Sequence, residues 1–280
     1  MPKDALAPRE PSQDSHQAME SSDTKFSARP VDVIVNADDL GISSEVNDAV
    51  FDFMARGLVT SATLIANAPR IEAATKRIGQ FPSCSFGVHL NVTEFEPLTG
   101  PHGLKPLLDE RGAFQRDPIR QVSIDSSLAE GILAEFCAQT EKLLSLGVEI
   151  SHIDSHQHVH TIPRLFPILK KLQKKYGLRR VRISRNIYGS YERCSTPMRL
   201  KKMIFNFLLR NYRRTQTTQA FTDLKAFCDI GKSGRPSYRS VELMVHPGLR
   251  DYDDGTDLLP GLWRQSLSFP VRLINYNDLD

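Results

Sequence analysis

The segment Val31-Asp-Val-Ile-Val-Asn-Ala-Asp-Asp39 decides the fold, because it is a run of aliphatic residues that ends in two carboxylates. Such a run is typical of a buried strand with a polar end. Gly41 then breaks the strand, and Ser43 or Ser44 can cap a helix that extends to about Gly57. A buried strand followed directly by a helix indicates an α/β protein.

The same alternation continues along the chain. Further strands are predicted at residues 59–66, 85–92, 151–160, 180–184, 241–246 and 271–276, and further helices at 71–78, 127–146 and 163–176. Strands that alternate with helices predict a parallel sheet, and about seven of them favour a closed or nearly closed (β/α) barrel over an open sheet. The connection over residues 94–125 is too long for a plain βα loop, so we expect it to cover a site.

Composition excludes several classes of protein. A formal net charge of +3 over 280 residues is too small to predict nucleic-acid binding. Residues 1–30 are rich in Pro, Ser and acidic residues and have no apolar run, so they predict a disordered tail before a single domain at 31–280. No stretch reaches the roughly 18 apolar residues of a membrane span. Four widely spaced cysteines without a CxxC pair indicate a reducing, cytoplasmic location.

Polar residues follow the predicted strands where each one ends. Asp38 and Asp39 end the first strand, His89 and Asn91 end the third, and His246 precedes Pro-Gly at the end of a later one. α/β barrels and open parallel sheets place their active sites at the carboxyl ends of their strands. We therefore expect these side chains to form one site.

The segment Ser151-His-Ile-Asp-Ser-His-Gln-His-Val-His160 holds four of the eight histidines of the chain. Successive side chains of an extended chain point to opposite sides, so every second residue of this segment lies on the same side. These are His152, Asp154, His156, His158 and His160. Imidazole and carboxylate are common ligands of a catalytic divalent metal. The alternatives are hydrogen-bonded packing without a metal and a metal-storage tract.

Each other candidate also has an ordinary structural interpretation. Asp38 and Asp39 point to opposite faces of a strand, so one can bind a metal while the other takes a proton, or both can form a solvated strand end. His89 is a metal ligand or a hydrogen-bonded core residue. His246 is a general acid or a turn residue packed beneath a loop.

A basic amphipathic segment covers residues 198–214. Its ordinary interpretation is an outer helix with a solvated charged face. The alternative is a peripheral contact with anionic lipid or an acidic partner.

With these motifs in order along the chain, the sequence resembles the YdjC-like carbohydrate deacetylases. The resemblance rests on residues 35–41, 57–67, 87–91, 151–160, 242–248 and 272–279. It implies an irregular (β/α) barrel like those of glycoside hydrolases and deacetylases, and one divalent ion, Mg or Zn, held by an Asp and two His. Carried over by position, the ligands are Asp39, His89 and His156, and the proton-transfer aspartate is Asp38.

The resemblance and the residues together predict a metal-dependent hydrolase that removes an N-acetyl group from an amino sugar. The substrate would be a chito-oligosaccharide-like sugar or a glycolipid. Asp38 would take a proton from water, and His246 or a histidine of the cluster would protonate the leaving amine. The side chains expected to orient ligands or contact substrate are Asn91, His152, Asp154, His158 and His160.

Other readings of the sequence stay open. The chain could be a metallohydrolase of another amide or a phosphoester, or a metal- or sugar-binding protein without catalysis. The segments at residues 182–186 and after Gly248 match the family less well, so the resemblance does not assign the substrate contacts. A homodimer is compatible with the sequence.

Overall fold

A computed structural model describes residues 29–212, 214–249 and 251–279. Its strands are β1 Val31–Leu40, β2 Ser61–Leu64, β3 Ser85–Leu90, β4 Ile150–Ser155, β5 Ala220–Asp223, β6 Ser240–Val245 and β7 Val271–Leu273. Its α-helices are α1 Ser44–Ala55, α2 Ile71–Ile78, α3 Pro118–Gln121, α4 Ser126–Ser145, α5 Phe166–Tyr176, α6 Thr196–Asn211 and α7 Leu224–Gly231. Single 3₁₀ turns lie at His156–Thr161 and Pro163–Leu165.

The strands form one parallel sheet in the order β4-β3-β2-β1-β6-β5, and β7 also pairs with β1. β1 lies at the centre, where its first residues pair with β7 and its last residues with β2. Every residue of β1 except Asp32 is buried. The prediction of a buried strand that leads into a parallel α/β sheet is therefore confirmed.

The gap between β4 and β5 is bridged by an extended segment at residues 180–186. The Ile153 N–H donates to the Arg180 carbonyl at 3.0 Å, and the Arg182 N–H donates back to the Ile153 carbonyl at 3.0 Å. On the other side, the Asn186 N–H donates to the Phe221 carbonyl at 3.3 Å. These bonds give the sheet the shape of a nearly closed, irregular barrel, as predicted.

One predicted strand was wrong in detail, and one strand was missed. Residues 180–184 form only isolated bridges to β4 and to residue 216, because their hydrogen bonds pass between two partners and never make a continuous ladder. The strand that the sequence did not predict is β5, which has only four residues. Such a short run gives little periodic signal in a sequence.

The predicted cap of α1 is confirmed, whereas α5 begins at Phe166, after the 3₁₀ turn that Pro163 opens. The Ser43 hydroxyl accepts a hydrogen bond from the Val46 N–H at the start of α1, and α2 has the predicted bounds. Asp125 caps α4 by accepting from the Leu128 N–H at 2.8 Å. The connection over residues 94–125 contains α3 and a 3₁₀ turn at Lys105–Leu107.

Several predictions concern features that the structure does not test. Residues 1–28 of the predicted tail lie outside the described residues, and the single domain, the homodimer and the cytoplasmic location stay predictions. The four cysteines, all described, are free thiols. Among the described helices, none combines the length and the apolar character needed to cross a membrane.

Candidate metal centre and active site

The carboxyl end of β1 turns two adjacent carboxylates in different directions. Asp39 has a φ of 67°, and the register between β1 and β2 shifts between Ala37 and Leu40. Aspartate adopts this left-handed conformation more readily than most residues. The bend expected at Gly41 thus begins two residues earlier, and it directs Asp39 to β3 and the end of β4 while Asp38 contacts Arg182.

Asp39, His89 and His156 come together in a buried group. Asp39 Oδ1 lies 2.8 Å from His156 Nδ1 and 3.2 Å from His89 Nε2. One ligand atom from each of the three residues lies within 4.8 Å of the others. Asp39 Oδ2 is buried and has no hydrogen-bond partner among the described residues. A buried carboxylate oxygen without a partner, beside two imidazoles, matches the donor set of a divalent cation.

Charge balance in this group also fits a divalent cation. Burial lowers the pKa of His89, but Asp154 and Asp39 outweigh it and raise that pKa to about 10. Burial opposes the charged form of His156 as well, and hydrogen bonds with Asp39 and Glu94 raise its pKa to about 9. Replacing the two imidazolium protons with one divalent ion leaves the total charge unchanged.

Asp154 holds His89 in place. Its Oδ1 accepts from His89 Nδ1 at 2.7 Å, and its Oδ2 accepts from the Thr63 hydroxyl at 3.0 Å and pairs with Arg182 at 2.9 Å. A carboxylate on one imidazole nitrogen fixes the ring and directs the other nitrogen. Here it directs His89 Nε2 to Asp39.

Arg182 is fully buried and binds three carboxylates. Its guanidinium donates to both oxygens of Asp38, at 2.7 and 2.6 Å, and its Nε donates to Glu242 at 2.7 Å. Asp154 is the third carboxylate. Burial raises the pKa of Asp38, but the guanidinium outweighs burial and holds that pKa well below its usual range. Asp38 is therefore ionised and fixed in orientation at neutral pH.

Glu242 binds Arg182 beside Asp38, because Arg182 Nη2 lies 2.7 Å from Glu242 Oε1 and 2.6 Å from Asp38 Oδ1. Its Oε2 accepts a hydrogen bond from the Tyr276 hydroxyl, and its Oε1 from Arg182. One guanidinium does not neutralise three buried carboxylates, and burial raises the pKa of Glu242 from 4.5 to about 7. A carboxyl with a higher pKa in the folded state stabilises the fold most when it is protonated.

We therefore expect Glu242→Gln to remove part of the pH dependence of stability. In the wild type, the contribution of Glu242 to the free energy of unfolding should fall by an amount of order 3 kcal/mol as pH rises from about 4.5 through about 7. Relative to the wild type, the unfolding free energy of Glu242→Gln should therefore rise by about that amount between pH 5 and pH 8. The measurement is urea unfolding at both pH values. An equal difference in unfolding free energy at both pH values would contradict a raised pKa at Glu242.

His246 lies on the other side of Asp39 and forms a pair with Asp254. His246 Nδ1 donates to Asp254 Oδ2 at 2.7 Å, and His246 Nε2 lies 3.9 Å from Asp39 Oδ2. Burial lowers the pKa of His246, but Asp254, Asp38 and Asp39 outweigh it and raise that pKa above its ordinary value. The Tyr252 ring stacks on the imidazole, with centroids 3.9 Å apart. The imidazole can thus carry a proton on Nε2 near neutral pH.

The histidine segment is not extended to its end, so the predicted alternation applies only to its first half. β4 ends at Ser155, and Gln157 and His158 have a φ of 55° within the following 3₁₀ turn. Only His156 of this segment reaches Asp39. His160 Nδ1 accepts from the Ser155 hydroxyl, and its Nε2 donates to the Arg182 carbonyl at 3.1 Å.

The other two histidines of the segment do not contact Asp39 in the described structure. The His152 ring stacks on Tyr276 with centroids 3.5 Å apart. It passes so close to Gly87 that a Cβ there would lie 2.5 Å from the ring. His158 is half-buried and packs against Phe221, with ring centroids 5.6 Å apart. Burial lowers the pKa of both histidines well below the usual range, so both are neutral.

Asn91 shapes the loop that follows β3. Its amide donates to the Glu94 carbonyl at 2.7 Å, and its oxygen accepts from the Thr93 N–H at 3.0 Å. This turn brings the Glu94 carboxylate to 3.1 Å from His156 Nε2, with 46% of the Glu94 side chain exposed. Asn91 therefore acts on the site through the loop.

Sequence reasoning missed several residues of this site. They are Thr63, Glu94, Arg182, Glu242, Tyr252, Asp254 and Tyr276. Arg182 and Glu242 did carry a signal, because each is a charged residue between aliphatic neighbours, and such residues are rarely buried unless they are paired. Glu94 and Asp254 lie in irregular loops, where no periodicity marks them.

This barrel carries carboxylates and histidines at the carboxyl edge of its strands, where α/β barrel enzymes have their active sites. Residues 32–267 match the family model described as YdjC-like protein. The chain belongs to the YdjC-like family.

Individual relatives agree with this assignment. A carbohydrate deacetylase of Clostridium beijerinckii is 30% identical over 229 residues, which cover 78% of this chain and 82% of the relative. A carbohydrate deacetylase of Geobacillus stearothermophilus is 39% identical over 145 residues, which cover 52% of this chain and 57% of the relative. The match thus spans little more than half of the Geobacillus protein.

A solved structure from Enterococcus faecalis shares the fold. It is described as a candidate cellobiose-phosphate cleavage protein, and it superposes with a TM-score of 0.69 at 21% identity. The match covers 89% of this chain and 98% of that one. At this identity the likeness establishes the fold alone.

Proposed function

We propose that this protein is a metal-dependent carbohydrate deacetylase that hydrolyses the N-acetyl group of an amino sugar. The observation that carries the proposal is the arrangement around Asp39. The group of three ligands is buried, the ionised Asp38 forms a second group with its member His89, and His246, which can carry a proton, lies 3.9 Å from Asp39. The names of the relatives from Clostridium and Geobacillus support a sugar amide as the substrate.

Asp39, His89 and His156 would hold the ion. A bound divalent ion would supply Lewis acidity, which lowers the pKa of water and polarises an amide carbonyl. Carboxylate and imidazole suit zinc, and magnesium is the alternative that the sequence also indicated.

Asp38 and His246 would move the protons of the hydrolysis. Asp38 takes a proton from the water that adds to the amide carbonyl, and Arg182 holds the carboxylate in place for that transfer. The carbon–nitrogen bond then breaks, His246 Nε2 gives its proton to the nitrogen, and the products are acetate and a free amino sugar. Asp254 keeps the His246 proton on the nitrogen that faces the site.

A phosphoester substrate is less well supported. Phosphoester hydrolysis needs cationic groups that face the transferred phosphate. Arg182 is the guanidinium nearest to this site among the described residues, and it is buried and engaged by three carboxylates. A neutral acetamide makes no such demand.

The direct test is acetate release from N-acetylglucosamine oligomers, with and without added zinc or magnesium. We expect His156→Ala to weaken metal binding by about 100-fold or more and to abolish turnover, because it removes one of three ligands. Metal affinity is measured by calorimetry on the stripped protein. The matched control is His102→Ala, which changes an exposed histidine outside the site.

Two results would count against the proposal. Wild-type turnover by His156→Ala would exclude His156 as a ligand of a catalytic ion. Metal binding by the wild type without acetate release from any N-acetylated sugar would favour a binding protein.

A further inference from the structure

Helix α6 exposes a row of large apolar side chains. Phe205 and Leu209 face the core, whereas five others lie outside at helical spacing and are between 48% and 63% exposed. They are Leu200, Met203, Ile204, Phe207 and Leu208. We call these five residues the α6 stripe. The expected solvated charged face thus covers only part of the surface of this helix. A contiguous exposed apolar row of this size indicates a contact site.

Cationic residues border the α6 stripe. Arg199 and Lys201 are exposed, Lys202 and Arg210 are half-buried, and Thr196–Asn211 contains no acidic residue. An exposed apolar row with cations beside it is the pattern of a helix that lies in the interface of an anionic membrane. The 16 residues of α6 would extend about 24 Å along such a surface.

A cavity of about 770 Å³ opens beside the α6 stripe and is lined by cations. They are Arg120, Arg164, Arg185, Lys201 and Lys202, and none of the lining residues is an Asp or Glu. Glu192 and Asp223 neutralise Arg185 from outside the cavity.

Two of these cations have no carboxylate bound to them in the described structure. Arg164 donates to the carbonyls of Val122 and Arg120, and Arg120 donates to that of Gln157. Because neutral carbonyls leave the guanidinium charge uncompensated, the cavity favours an anion such as a phosphate.

We propose that the α6 stripe and this cavity together dock the protein on a bilayer that contains anionic phospholipid. The α6 stripe enters the interface, and the cavity receives a lipid phosphate. A second copy of this chain fits the surface less well, because a symmetric contact would bring the cations of two α6 helices together. The proposal does not depend on the proposed deacetylase activity.

The docking surface is attached firmly to the candidate active site. The Asn206 amide accepts from the Ser184 N–H at 2.8 Å and donates to the Ser184 carbonyl at 2.9 Å. Ser184 follows Arg182, which binds Asp38, by two residues. Docking through α6 would therefore place the active site close to the membrane surface.

The test is co-sedimentation of the full chain with vesicles of phosphatidylglycerol and phosphatidylcholine, against vesicles of phosphatidylcholine alone. We expect at least tenfold tighter binding to the anionic vesicles, and a marked loss in 0.5 M salt. Phe207→Glu and Met203→Glu should each weaken binding about tenfold or more. Their control is Leu144→Glu, which changes an apolar side chain of α4 that is 46% exposed and should bind as the wild type does.

A charge reversal tests the cavity separately. Arg164→Glu, which reverses a cation of the cavity outside α6, should weaken binding to anionic vesicles, whereas Lys174→Glu, a charge reversal at an exposed position of α5, should not. Thermal unfolding of each variant shows that it is folded. Equal binding to both kinds of vesicle, or wild-type binding by Phe207→Glu, would overturn the proposal. So would a dimer in light scattering that Phe207→Glu converts to a monomer, because the surface would then be an interface between two copies.

Discussion

Asp38→Asn is expected to lower kcat for acetate release by about 10²- to 10⁴-fold, the usual contribution of a general base. The amide keeps the shape of the carboxylate and one oxygen that can accept from Arg182, but it does not take a proton from water. Metal affinity should stay within about threefold of the wild type, because Asp39 and not Asp38 contacts both candidate histidine ligands. The measurements are steady-state acetate release and calorimetric metal titration.

The matched control is Asp32→Asn, at the other end of β1. Asp32 pairs with Arg272 at 2.7 Å near the surface. The variant Asp32→Asn should therefore release acetate from the substrate at the wild-type rate. Two results would contradict the role of Asp38. A kcat within threefold of the wild type would place the base elsewhere. A parallel loss of metal affinity would make Asp38 a ligand, in the second group that it forms with His89 and Asp154.

The strand ends of this site could be predicted because the signal is local. In Val31–Asp39, aliphatic residues lead straight into carboxylates, so the segment itself gives both the strand and the polar end. His89 and His246 follow the same rule at their own strands. Parallel strands all end at one edge, and this topology brings the three segments together without any further information.

The part that could not be predicted depends on contacts between distant segments. Arg182 lies 144 residues from Asp38 and 60 from Glu242. No local pattern specifies that three carboxylates share one guanidinium. The alternation of the histidine segment fails for a different reason. Gln157 and His158 adopt a φ of 55°, which period-two reasoning does not include.

Arg182→Met is expected to destabilise the protein by about 3 to 5 kcal/mol at pH 7, the usual cost when one partner of a buried ionic network is removed. Asp38, Asp154 and Glu242 would be left in the interior without their cation, because the Arg182 side chain is 0% exposed and all three carboxylates are buried. Burial would then raise the pKa of Asp38 and that of Glu242. The measurement is urea unfolding, with Arg272→Met as the control for loss of an exposed arginine, where we expect less than about 1 kcal/mol.

The pH dependence of this loss separates a charge effect from a packing effect. Carboxyls with raised pKa values keep the fold stable while they are protonated and destabilise it as they ionise, so the loss in Arg182→Met should grow from pH 5 to pH 8. Loss of packing alone would be the same at both values. If Arg182→Met does not fold at pH 7, Arg182→Gln gives the same comparison, because it also removes the charge but keeps an amide that can donate a hydrogen bond to a carboxylate. A loss below about 1 kcal/mol at pH 8 would mean that Arg182 does not compensate the charge of these buried carboxylates.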